Sequence, residues 1–169
     1  NGHFTNTTSS SGLVAGSGAT SMTLADIDGD GDLDLYVANY AKMSLLRSGG
    51  AIAMRNVNGR PVVTGPGSER IRIVNGKLVE LGEPDVLYLN DGQGHFTPVS
   101  WTNGAFLDET GAPLKEAPQE LGLSAMFRDI NGDGLPDLYV CNDFQTPDRF
   151  WINQGGGKFR LLPRLAQRK

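Results

Sequence analysis

Polar and apolar residues alternate along "SMTLADI" (residues 21–27) and again along "SAMFRDI" (124–130), the period-two pattern of a half-buried strand. Each stretch runs into an acidic, glycine-rich loop and leaves it through "DLYV" at 34–37 and 137–140, a β-branched and aromatic run that reads as a second strand. The two copies lie 103 positions apart. A different pair repeats at an offset of 63: "VLYLNDGQGHF" (86–96) and "RFWINQGGGKF" (149–159), each a strand, a Gly-rich turn and the start of another strand. Between residues 43 and 84, Asn58-Gly59 and Asn75-Gly76 separate β-like runs and predict two hairpins closed by type I′ turns. Residues 101–122 are rich in Pro, Gly and acid. They predict a long loop with room for one short hairpin or helical turn.

Assembled in order, one unit is strand, acidic loop, strand, strand, Gly-rich turn, strand. Four antiparallel strands of this kind make a β-propeller blade. The expected fold is therefore all-β, with about two blades plus the end of a preceding one. Residues 1–169 read as a partial propeller. The first blade spans about 18–100 with inserted hairpins at about 43–84, and the second about 122–162. The opening "NGHF" places Gly2, His3 and Phe4 where Gly94, His95 and Phe96 stand in the later copy, so the chain is expected to start inside a repeat.

The acidic loops carry the candidate chemistry. Asp26, Asp28, Asp30, Asp32 and Asp34 occupy every second position of the first, and such crowded carboxylates repel one another unless a cation neutralises them. Side chains at loop positions 1, 3, 5 and 9 with a backbone carbonyl at position 7 form the oxygen cage that Ca²⁺ prefers. In the second loop Asp129, Asn131, Asp133, Leu135 and Asp137 take those places, Leu135 through its carbonyl, and Asn131 keeps an oxygen while losing a charge. Two Ca²⁺ sites are expected. An EF-hand is excluded, because position 12 is Val37 or Val140 instead of a bidentate glutamate, and the flanks are strands.

The formal net charge of −4 is then mostly ligand, and two divalent ions would cancel it. No basic stripe argues for nucleic acid, and no apolar run is long enough to span a membrane. Gly 23 and Pro 9 in 169 residues suit many short strands and turns. The single cysteine, Cys141, rules out an intrachain disulfide and reads as a small buried hydrophobe.

The motifs "DIDGDGDLDLYVANY", "DINGDGLPDLYVCND", "NDGQGHF" and "NQGGGKF" resemble those of the FG-GAP or VCBS repeat family, the propeller repeats of integrin α-subunit heads and many secreted bacterial proteins. The wording is most similar to large bacterial relatives of cartilage acidic protein. The resemblance implies Ca²⁺ in rim loops, a secreted or cell-surface location, and further blades of a longer chain or a neighbouring subunit as partners. It implies a noncatalytic role in adhesion, scaffolding, or glycan or protein binding; the alternative is part of a lyase-like, polysaccharide-active enzyme. For catalysis the sequence offers little. His3 and His95 sit at equivalent turn positions and read as structural or solvent-facing. Asp143, Gln145, Asp148, Arg149 and Trp151 could grip a sugar, but read better as a strand connection with Trp151 in the core. Trp101 either stacks on a ligand or anchors its loop, and Asn6 heads a glycosylation sequon.

Overall fold

The computed structural model describes residues 2–14, 16–45, 49, 52–143 and 146–163. In chain order the strands are β1 (Ala19–Ala25), β2 (Asp34–Asn39), β3 (Ala53–Val57), β4 (Arg60–Thr64), β5 (Ile71–Val74), β6 (Lys77–Glu80), β7 (Val86–Asn90), β8 (Phe96–Pro98), β9 (Phe106–Leu107), β10 (Gly122–Arg128), β11 (Asp137–Asn142), β12 (Arg149–Asn153) and β13 (Phe159–Leu161). The fold is all-β, and the strands form two blade-like sheets. The first runs β1-β2-β7-β8 and the second β10-β11-β12-β13-β9.

The internal repeat is preserved down to register. β1 pairs with β2 from Ala19 opposite Asn39 to Ala25 opposite Asp34, with an irregularity between Ala19 and Ser21. β10 pairs with β11 from Gly122 opposite Asn142 to Arg128 opposite Asp137, with the same irregularity between Gly122 and Ser124. A β-bulge kept at the same place in both copies is part of the design of the unit, since it re-aims the inner strand.

The sheets pack face to face. Successive side chains of a strand point to opposite faces, so Tyr36 and Ala38 of β2 turn inward with Leu87 of β7, and meet Leu138, Val140, Trp151 and Phe159 of the second sheet in one buried cluster. Inner strands β1 and β10 are stitched by hydroxyls. Thr20 Oγ1 donates to Gly122 O at 2.8 Å, and the amides of Ala125 and Phe127 donate to Ser21 Oγ and Thr23 Oγ1, both at 3.3 Å.

The insertion forms two separate two-stranded ribbons, β3-β4 and β5-β6, the two hairpins expected. Both turns are type I′ as predicted: Asn58 and Gly59 have φ of 51° and 79°, and Asn75 and Gly76 have 50° and 75°. The ribbons differ in attachment. β3 is exposed throughout, whereas β5 and β6 bury Ile71 and Glu80. Buried Glu80 accepts the Leu45 amide at 2.7 Å, the Ser44 hydroxyl at 2.8 Å and Arg70 Nη2 at 3.3 Å, which anchors that ribbon to the chain leaving the first sheet.

A fifth strand in the second sheet is a departure from the four-strand expectation. β9 comes from the segment read as a long loop with room for a short hairpin; the hairpin forms, with Leu107 opposite Pro113, and β9 also pairs parallel to β13, Phe106 opposite Phe159. Its cause is aromatic packing. Phe106 is fully buried, stacks on Trp101 with centroids 3.9 Å apart, and meets Trp151 edge-on at 5.3 Å. The first sheet has a looser counterpart. The Phe96 amide donates to Ser11 O at 2.7 Å, just as the Phe159 amide donates to Ala105 O at 2.7 Å. Each sheet is thus flanked on its outer edge by the segment that leads into it. Cys141 is half-buried, not fully buried as expected, because it faces away from the first sheet whereas its counterpart Ala38 faces the interface.

Candidate metal centre

Each acidic loop connects the first two strands of its sheet, and its first aspartate builds it. Asp26 accepts the amides of Gly29 at 2.8 Å and Gly31 at 3.0 Å; Asp129 accepts those of Gly132 at 2.7 Å and Gly134 at 2.9 Å. Gly29 and Gly132 sit at φ of 85° and 82°, left-handed angles that a side chain disfavours, so the chain can curl around its own carboxylate.

The aspartate at position 9 is fully buried in both copies and does more than face the loop. Asp34 accepts the Ile27 amide at 3.0 Å and the Asn90 amide at 2.9 Å. Asp137 accepts the equivalent amides, Ile130 at 2.9 Å and Asn153 at 2.8 Å. Each therefore pins its loop to the end of the third strand of the sheet. Burial raises the Asp34 carboxyl above its ordinary range; the two amides pull it back, and Asp28 and Asp30 push it up further.

Asp26, Asp28 and Asp34 bring carboxylate oxygens within 4.8 Å of one another. Ligands at 2.3–2.6 Å from a common ion lie at most about 5 Å apart, so the trio fits a hard divalent cation, and an all-oxygen donor set suits one. Asp32 lies with its carboxylate against Gly92, which leaves its backbone carbonyl as the ligand expected at position 7. Asp30 accepts the Asp32 amide at 2.9 Å. In the second loop Asn131 takes the place of Asp28 and donates Nδ2 to Asp133 at 2.8 Å, so an amide relieves part of the repulsion there. Among the described residues no second acidic trio is gathered.

A second repeated device was missed at the sequence level. Tyr36 donates to Asp85 at 2.6 Å, Asp85 accepts the Asn39 amide at 2.7 Å, and Asn39 Nδ2 donates to Pro84 O at 2.7 Å. Tyr139, Asp148, Asn142 and Pro147 repeat the arrangement at 2.7, 2.9 and 2.8 Å. Its signal was present, because the 63-residue repeat extends upstream through Pro84-Asp85 and Pro147-Asp148. Asp148 is thus part of a latch between strands. Arg149 Nε donates to both oxygens of Glu120, at 3.0 and 2.9 Å, and Trp151 is buried. Asp143 accepts the Tyr40 hydroxyl at 2.6 Å, and Gln145 lies outside the described residues. Asp143, Asp148 and Arg149 thus tie the strand connection together, and Arg149 and Trp151 also line an open cleft beside Glu120. Trp101 anchors its loop, with Nε1 donating to Asp85 O at 2.9 Å. His3 is exposed, and exposed His95 pairs with Asp91 at 3.0 Å within its turn.

A protein-family model described as an FG-GAP-like repeat matches residues 1–37, which takes in the leading segment, β1, the first acidic loop and the start of β2. The chain carries an FG-GAP repeat. No curated protein and no solved structure matches it. The FG-GAP match ends at residue 37, but the strand register, the loop pins and the latch recur between Gly122 and Asn153, so the second sheet has the geometry of the first.

Proposed function

We propose that this chain is a calcium-stabilised, noncatalytic propeller segment of a secreted or cell-surface protein, built to dock against further blades and to serve adhesion, scaffolding, or glycan or protein binding. The observation that carries the metal reading is the trio of oxygens from Asp26, Asp28 and Asp34 gathered within 4.8 Å on an FG-GAP unit. Asp26, Asp28, Asp30 and Asp34 with the Asp32 carbonyl would hold one ion; Asp129, Asn131, Asp133 and Asp137 with the Leu135 carbonyl would hold the other. The ion's charge would balance the clustered carboxylates and so stabilise the loop. Extracellular calcium modules bind at about 10⁻⁴ to 10⁻³ M. A site a hundredfold below ambient calcium would add roughly 2.7 kcal/mol to stability. In a thermal melt, millimolar calcium should raise the midpoint and a chelator reverse it. Calorimetric titration of single-loop variants should find the first loop tighter, since it has one more carboxylate. A melt indifferent to calcium and chelator would refute the reading.

Equivalent positions of the two sheets differ in what covers them. Ile27, in the first loop, is 1% exposed beneath the second sheet, whereas its counterpart Ile130 is 41% exposed. Tyr36 and Leu87 are buried at the same interface, and their counterparts Tyr139 and Phe150 stand half-buried, ring centroids 4.6 Å apart, on the far face of the second sheet. What covers these positions in the first sheet is another blade, and we propose the same occupant for the second. In sedimentation experiments a second copy can supply that blade. Self-association weakened by Ile130→Asp is the expected result, and a chain that stays monomeric at the highest concentration it tolerates contradicts it. The Tyr-Asp latches recur in both sheets and hold backbone, which favours a role in the fold over acid-base chemistry.

A further inference from the structure

We infer that Asn153 is a positioning residue for the first metal loop, so that cation binding in one blade is coupled to the seating of the next. This rests on the calcium reading above. Asn153 belongs to β12 of the second sheet, and its fully buried side chain reaches across the interface: Nδ2 donates to Ile27 O at 3.0 Å, inside the first loop. The same group also lies 3.2 Å from Pro136 O of its own sheet, and Oδ1 accepts the Gly155 amide at 2.8 Å. One side chain thus ties the second sheet's Gly-rich turn to both loops.

The turn itself closes on the first loop. A Cβ placed on Gly157 would lie 3.8 Å from Asp28 Cβ, ordinary contact distance to a side chain of the oxygen trio. Ile27 stands between two of those ligands, Asp26 and Asp28, so fixing its carbonyl fixes the backbone from which both project. Asn90 shows what the residue does without a neighbour to reach: its Nδ2 donates to Leu33 O at 3.1 Å within its own sheet. Within the described residues the first loop is gripped by the following blade, whereas Ile130 of the second is 41% exposed on the face proposed to receive the next one.

Preorganising a ligand set removes part of the ordering that binding would otherwise require, and such coupling acts equally in both directions. To isolate the first site, the second loop is silenced with Asp133→Ala, and calcium alone is the probe. In that background Asn153→Ala should weaken calcium affinity about three- to tenfold, the equivalent of one lost hydrogen bond. The reciprocal experiment keeps Asn153: calcium should slow amide hydrogen exchange at residues 154–158 of the second sheet, and Asp26→Ala should abolish that slowing. Exchange decides the matter if Asn153→Ala fails to fold. Calcium that binds the first loop yet leaves exchange at 154–158 unaltered overturns the coupling alone, as does unchanged affinity in a folded Asn153→Ala variant. Calcium that does not bind at all removes the site reading and the coupling together.

Discussion

Asp137→Ala should lower stability by about 3 to 5 kcal/mol even with chelator present, and the thermal midpoint by roughly 10 °C. The side chain is fully buried and accepts the Ile130 amide at 2.9 Å and the Asn153 amide at 2.8 Å. Truncation leaves two donors without partners at about 1 to 3 kcal/mol each, and a domain of this size shifts about 2 to 4 °C per kcal/mol. Asp137→Asn should restore little, because its amide can accept only one of the two donors. Asp133→Ala should change the metal-free midpoint by no more than a degree or two, since Asp133 is exposed. Equal melting of Asp137→Ala and the unaltered chain without metal would reduce Asp137 to a ligand and remove its role as a pin.

The second large effect is one of pH. The Asp85 carboxyl is raised from 3.8 to about 6, because burial, the largest cause, and the nearby Glu120 charge push it up by more than the Asn39 amide and the Tyr36 hydroxyl pull it down. Tyr36, Glu120 and the Arg149 that pairs with Glu120 are the titratable groups around it. A carboxyl whose pKa is higher folded than unfolded favours the folded state when protonated. Its contribution is complete below about pH 3.8 and is lost as pH rises through 6. Relative to Asp85→Asn, the native chain should gain up to about 3 kcal/mol between pH 7 and pH 4. Urea unfolding of both proteins across that range measures the difference, and a flat difference would show that Asp85 stays ionised in the fold.

The regular part of the fold was legible because it obeys local rules. Alternation fixes β1 and β10, Asn-Gly fixes the β3-β4 and β5-β6 turns, and the recurrence of two motifs, at offsets of 103 and 63 residues, fixes the repeat. β9 was not legible, because two residues in a Gly- and Pro-rich stretch have no period. What makes them a strand is distant, the Trp101 and Trp151 rings against Phe106 and the edge of β13. The acidic loops announced their oxygens but not how these are divided. Spacing cannot separate Asp34, fully buried and holding the Asn90 amide of the third strand, from Asp26 and Asp28, whose amide partners lie within the loop, because all three intervals suit a cation equally. Nor can it tell which loop lies under a neighbouring sheet. Cys141 and Ala38 occupy the same place in the pattern, and only the presence of another blade on one side distinguishes them.

Because β9 and the Ser11 segment each lie along the edge of the sheet they precede, the stretch of chain that folds as one body begins upstream of the stretch that repeats. An excision starting at residue 122 would leave Trp101 and Phe106 behind and strip the aromatic wall from β13, whereas one starting near residue 99 would keep them. Any graft of this blade into another scaffold has to carry its leader with it.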